Sequence, residues 1–232
     1  MAGYRQHISV SGFLGIAYGL GATFLLDFTP VQATLAGCLA WVAGMLPDLD
    51  SESGRPVREI FGLIAAVVPF EMMGHLLEWG GNPEGAMLLA VLTYAAIRYG
   101  GALVLGKLSV HRGMFHSIPA MLIAAELAFL GYKSDMINVK LLMAGGVALG
   151  FLSHLILDEM YSVEWSGIRV RLNKSAGSAF KLVGKKFGPN LVTYALLVVL
   201  TYATLVEMQL LDEPGATRGL LRQAVEDVPL RR

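Results

Sequence analysis

Residues 109–117 read Ser-Val-His-Arg-Gly-Met-Phe-His-Ser, with apolar runs at about 85–106 before them and 113–132 after them. The stretch packs two histidines (His111 and His116), Arg112 and Ser117 into a chain that otherwise has the length and apolarity of membrane spans. Polar residues are costly in such a setting, and concentrated ones mark a site. The reading of this stretch therefore decides both the fold and where to look for function.

The whole composition agrees with it. Of 232 residues, 55% are hydrophobic and only 16% charged, and the mean hydropathy is +0.58. The 27 glycines suit helices that approach closely in a bilayer. An all-α polytopic membrane bundle of about six or seven helices is expected. The formal net charge is zero, so no nucleic-acid partner is expected. Cys38 is the single cysteine, which excludes a disulfide framework and a thiolate cluster. Any metal site must use nitrogen and oxygen donors.

Upstream, residues 1–7 are short and polar and include Arg5 and His7. The run at 8–28 is long for a cleaved leader and lacks a small-x-small cleavage site, so it reads as a span. Gly15 and Gly19 give it a small-xxx-small face. Pro30 restarts the chain, and 31–46 reach about 24 Å as a helix, slightly short of a bilayer core. Pro47 breaks that helix and leaves Asp48 and Asp50 at its mouth. Spans at 59–79 and 85–106 follow, joined by Gly80-Gly81-Asn82-Pro83, and contain Glu71, His75, Glu78 and Arg98. Glu71, His75 and Arg98 read first as a buried polar network or ion pair, with a second site or proton path as the alternative.

Downstream, a span at 139–157 carries Gly146 and Gly150 and ends in Ser153-His154-Leu155-Ile156-Leu157-Asp158-Glu159. From Trp165 through Val206 there is no acidic residue, while Arg169, Arg171, Lys174, Lys181, Lys185 and Lys186 fall in that stretch. Residues 160–188 read as an interfacial segment on anionic lipid, or as an ordinary basic loop. A last span at 190–211 completes one membrane domain, 1–211, and 212–232 form a polar tail that is expected to be mobile.

Counting crossings adds the decisive constraint. With seven spans, His7, Asp48, Asp50, His111, His116, His154 and Asp158 all fall at one membrane face. Lys and Arg in the loops at 47–58, 107–112 and 158–188 make that face cytoplasmic. Lys133, Lys140 and the arginines of the tail conflict mildly, which one re-entrant span would resolve. His154 and Asp158, four apart, share a helical face. Each histidine alone reads as an interfacial polar residue, and Asp-x-Asp is common in loops; the combination at one face points to a metal. Imidazole with carboxylate suits zinc, or manganese or iron, and the donors exceed what one tetrahedral ion needs, so two ions are expected. Such a centre activates water for displacement at phosphorus.

The ordered set His7, Leu46-Pro47-Asp48-Leu49-Asp50, His111-Arg112-Gly113-Met114-Phe115-His116-Ser117 and Ser153-His154-Leu155-Ile156-Leu157-Asp158 resembles the YdjM-like family. These are bacterial and archaeal inner-membrane proteins described as metal-dependent hydrolases, and they are distantly similar to zinc-dependent phospholipases C. The resemblance spans residues 7–158 and implies that His7, Asp48, Asp50, His111, His116, His154 and Asp158 are metal ligands. It implies phosphate-binding or ligand-supporting roles for Arg112 and Ser117. The chain departs from shorter members by the two spans inserted at 59–106, an even number that preserves the side, and by the sequence after Asp158. The expected function is a membrane-bound hydrolase of a phosphoester or phospholipid at the cytoplasmic face. In that reaction Asp48 or Asp50 would act as general base, and Arg112 would stabilise phosphoryl charge. The alternatives are a non-enzymatic metal-binding membrane protein, or a transporter whose path runs along Glu71, His75, Glu78 and Arg98.

Overall fold

Small residues set how the helices meet. In the computed structural model, which describes residues 3–50, 54–101, 115–166, 169–172, 182–184 and 187–211, α1 (Tyr4–Leu25) and α2 (Pro30–Ala43) cross where Gly15 faces Gly37. For Asp50 and for 163–172 it describes the backbone alone. A methyl group on either of these glycines would collide with the other's carbonyl oxygen. The buried residues of α2 are Ala33, Ala36, Gly37, Ala40 and Ala43, so this helix is thin on every side. Its other flank receives α7 (Ile137–Met160), where Gly146 and Gly150 lie against the Ala36 and Ala40 carbonyls. Both small-xxx-small expectations thus hold, and both converge on α2. Close backbone approach of this kind replaces the hydrophobic drive that is missing between helices in lipid.

Local chemistry explains the helix starts. Thr29 and Gln32 form a reciprocal capping box before Pro30 (Gln32 N to Thr29 Oγ1 3.3 Å, Thr29 N to Gln32 Oε1 3.2 Å). Asn82 accepts the Gly85 amide at 2.7 Å to start α5 (Pro83–Ala95), which a π-helical turn, Ala96–Gly101, extends. Ser117 accepts the Ala120 amide at 3.2 Å to start α6 (Ile118–Gly131). Between α2 and α5 lie a 3-10 turn, Pro47–Asp50, then α3 (Arg55–Glu71) and α4 (Met73–Gly80).

The span expected at 59–79 is not one helix. It breaks at Met72, and α3 and α4 diverge by 63°. Pro69 removes a backbone donor from the last turn of α3, which ends two residues later. Eight α-helices among the described residues result, seven if the bent pair counts as one, in keeping with the expected all-α bundle. Three, α1, α7 and α8 (Phe187–Glu207), are long and apolar enough to cross a membrane, and α3 with α4 makes a fourth if the bent pair is one span. A second departure lies after α7, where Val163–Ser166 (β1) and Arg169–Leu172 (β2) pair as an antiparallel hairpin.

Helix α7 is the centre of the bundle, with 61% of its apolar window buried, and packs on α1, α2 and α6. Helix α8 is peripheral and rests on α6. Two polar contacts fasten it: Thr201 Oγ1 donates to Glu126 Oε1 at 2.6 Å, and Lys140 of α7 pairs with Glu207. Glu126, at the middle of an apolar helix, is a residue the sequence reading passed over; an acid inside a span is itself the signal. The Lys140–Glu207 contact ties the start of α7 to the end of α8, so the two helices run antiparallel.

The Glu71–His75–Arg98 network is not formed. Glu71 and His75 are exposed on the outer face, and His75 lies 3.8 Å from Glu78 and stacks beside Trp79. Arg98 packs over Gly62 and near the Tyr99 ring. The break at Met72 is the reason: it places Glu71 and His75 in different helices, so their four-residue spacing no longer puts them on one face.

Candidate metal centre

Four helix ends meet at one end of the bundle: the start of α1, the turn after α2, the start of α6 and the end of α7. They deliver His7, Asp48, His116, and His154 with Asp158. The Ser117 cap, fully buried, fixes the first turn of α6 and thereby the residue before it, His116. Pro47, also buried, fixes the turn that carries Asp48. His154 and Asp158 sit one turn apart on α7, immediately beyond Gly150, so the glycine contact that seats α7 on α2 also seats them.

The distances separate this cluster from an ordinary hydrogen-bonded one. His116 Nε2 lies 3.5 Å from Asp48 Oδ1 and 3.7 Å from Asp158 Oδ2. His154 Nε2 lies 3.6 Å from Asp48 Oδ1 and 3.7 Å from Asp158 Oδ2. An N–H···O bond closes to about 2.7–3.2 Å. The edge of a tetrahedron of nitrogen and oxygen donors around a zinc-sized ion is about 3.3–3.6 Å, from metal–ligand bonds of about 2.0–2.2 Å. The two spacings to Asp48 match such an edge and the two to Asp158 lie just beyond it.

His154 carries the clearest mark. Its Nδ1 lies 2.7 Å from the Gly44 carbonyl oxygen, so that nitrogen bears the proton and donates it. In the neutral ring the lone pair is then on Nε2, which is buried and makes no hydrogen bond. A buried imidazole nitrogen without a partner is costly unless something else satisfies it, and a backbone carbonyl on the opposite nitrogen is how metal-binding histidines are oriented. The residues thus fit a divalent ion. Gly44 could not have been found from the sequence, because its role is played by a backbone carbonyl.

His7 joins from α1. Its ring stacks on His154 with centroids 3.6 Å apart and planes 10° from parallel, and its Nε2 is 3.3 Å from Asp158 Oδ1. The donors form two triads, His7–His154–Asp158 and Asp48–His116–His154, which share His154. Since His154 has one free nitrogen, it can serve one ion only. A second ion would draw on His7 Nε2 and Asp158 Oδ1 and need further ligands. His111 and Arg112 lie outside the described residues, and so does the Asp50 side chain.

Electrostatics and access agree with a ligand role. Burial alone would raise the Asp48 carboxyl, but the His116, His154 and His7 imidazoles beside it hold it below its ordinary value. Asp48 and His116 are partly exposed (25% and 17%), whereas His7, His154 and Asp158 are buried. The cluster is closed on the α1–α7 side and open on the Asp48–His116 side, as a centre that admits a small molecule must be. At its rim Gln6 Nε2 donates to the Tyr161 hydroxyl at 2.8 Å, tying α1 to the end of α7.

Compared with known proteins, residues 5–209 match a family model described as YdjM inner membrane protein. No curated protein and no solved structure matches the chain.

Proposed function

The chain belongs to the YdjM inner membrane protein family, and on that premise we propose that it is a membrane-bound, metal-dependent hydrolase of a phosphoester, with a phospholipid as the natural substrate. Asp48, His116 and His154 would hold the first ion, zinc before manganese or iron by donor chemistry. The observation that carries this reading is the buried, unpartnered Nε2 of His154 among donors at ligand-edge spacing. When bound, a divalent ion supplies Lewis acidity toward a water molecule and a phosphoryl oxygen.

The chain's own residues do the rest. Gly44 holds the His154 tautomer, and His7 holds the ring plane by stacking. The open Asp48–His116 side admits the phosphoryl group. Asp50 is positioned by sequence to take the proton from water, two residues beyond Asp48 in the same turn. Arg112 follows His111 in sequence and stabilises the phosphoryl charge. The inner-membrane setting brings lipid phosphoesters to the site, and the charge of the neighbouring loops favours the cytoplasmic face.

Metal content of the purified protein tests this. The wild type should hold at least one ion per chain, and His154→Ala and His111→Ala should each lose metal while remaining folded. Absence of metal from the wild type, or unchanged stoichiometry in both variants, would overturn the centre. A phosphodiester and phospholipid panel then tests turnover. Silence across that panel with metal retained leaves a metal-binding protein without hydrolase activity.

A further inference from the structure

Residues 161–186 join α7 to α8, and none of the described ones belongs to the candidate metal centre. Their start is fastened: the Tyr161 hydroxyl accepts from Gln6, and Ser162, buried, donates to the Glu159 carbonyl at 2.6 Å. The hairpin begins one residue later, five residues after Asp158. Its register pairs Val163 with Leu172, Glu164 with Arg171, Trp165 with Val170 and Ser166 with Arg169. Directly opposed residues of an antiparallel pair share a face, and the face alternates along each strand. Positions 163, 165, 170 and 172, all apolar, therefore fall on one face. Positions 164, 166, 169 and 171, all polar and two of them arginine, fall on the other.

A two-stranded hairpin has no core of its own and needs cover for an apolar face. Chain continuity places this one at the end of a helix long and apolar enough to span a bilayer. Tryptophan is the residue that favours the bilayer–water boundary. The surrounding charge selects the lipid: from Val163 through Val206 the one acid is Glu164, against six cations. We infer that the hairpin is an interfacial flap, seated by its apolar face in the bilayer surface beside the metal centre, with anionic phospholipid headgroups as its ligand. The inference rests on the proposed hydrolase only for its consequence, that anionic phospholipid is the substrate class gathered beside the cluster.

Trp165 reports on this directly. Trp41→Phe and Trp79→Phe leave it as the sole tryptophan of three. The protein is placed in nanodiscs of phosphatidylcholine and phosphatidylglycerol, with bromine on the acyl chains of one lipid or the other at equal mole fraction. Brominated phosphatidylglycerol should quench Trp165 about twofold more than brominated phosphatidylcholine, and high salt should remove the difference. Arg169→Gln with Arg171→Gln should reduce the preference while leaving metal content unchanged. Equal quenching by the two lipids at low salt, or an indole open to aqueous iodide and not quenched by either lipid, overturns the flap. If the tryptophan replacements disturb the contact of Trp41 with Gly12, W165C labelled with a fluorophore in a Cys38→Ala chain gives the same readout. Metal measured on the same samples separates the two readings. Metal with a lipid-indifferent hairpin sinks the flap alone, and a lipid-selective hairpin without metal sinks the centre alone.

Discussion

Gly44 shows how much of the site depends on atoms other than the ligands. Its carbonyl receives His154 Nδ1, and its Cα lies against Ser11, whose hydroxyl donates to the Trp41 carbonyl at 3.0 Å. A side chain at position 44 would meet Ser11 and push α1 away from the end of α2, moving the carbonyl with it. Gly44→Ala should therefore weaken metal binding by about 10–100-fold, the usual effect of losing a partner behind a metal-binding histidine. Competitive titration with a metal-sensitive dye measures this, with thermal unfolding of the metal-free protein as the control. Undiminished affinity would mean that the carbonyl does not set the tautomer. The same reasoning separates the histidines from one another. His154 has one nitrogen engaged and one free, whereas His75, exposed beside Glu78, has none of this enclosure.

At the scale of elements, α2 is the spacer on which the centre is built. It is thin because its buried residues are alanine and glycine, and α1 and α7 approach it from either side. The glycine at position 150 lies one turn before His154 and has the Ala40 carbonyl against it. Gly150→Leu should destabilise the bundle by about 1–3 kcal/mol, the cost of overpacking a tight contact. It should also displace His154 and Asp158 from Asp48 and His116. Paired measurements of melting temperature and bound metal should fall together, whereas Gly131→Leu, at a glycine with open space around it, should change neither. A Gly150→Leu protein that unfolds at the same temperature with full metal would show that this contact does not seat the site. The glycine pairs were legible in the sequence because a four-residue spacing is a property of one helix. The partner helix was not legible, since nothing in Gly146 or Gly150 names Ala36 or Ala40.

Across the whole molecule, the convergence of four distant segments was expected from a count of seven crossings, of which three or four correspond to helices long and apolar enough to cross a membrane. His7, Asp48, His116, His154 and Asp158 do meet at one end. What the count could not supply was the course of the chain between crossings: the break at Met72, the pairing of 163–166 with 169–172, and the exposure of Glu71 and His75 all depend on local geometry. The stretch that the resemblance reads as an insertion, 59–106, follows this division. Helices α3, α4 and α5 with the π turn pack mainly on one another, and α3 reaches the turn that carries Asp48. Asp48 Oδ1 and His116 Nε2, which flank the insertion, are already 3.5 Å apart. Helix α2 leads into the Asp48 turn and α6 follows His116, and both pack on α7, while α3 touches the Asp48 turn itself. Replacing residues 55–101 with a short Gly-Ser splice, keeping 102–114 and so His111 and Arg112, should leave a folded bundle that binds metal with the wild-type stoichiometry. Its metal should remain sensitive to His154→Ala. The lost contact between α3 and the Asp48 turn should appear only as a modest loss of affinity, because one ligand of three becomes less restrained. A spliced protein that folds but holds no metal would instead make α3 the brace of the Asp48 turn, and the centre would then belong to the enlarged chain rather than to the bundle of α1, α2, α6 and α7.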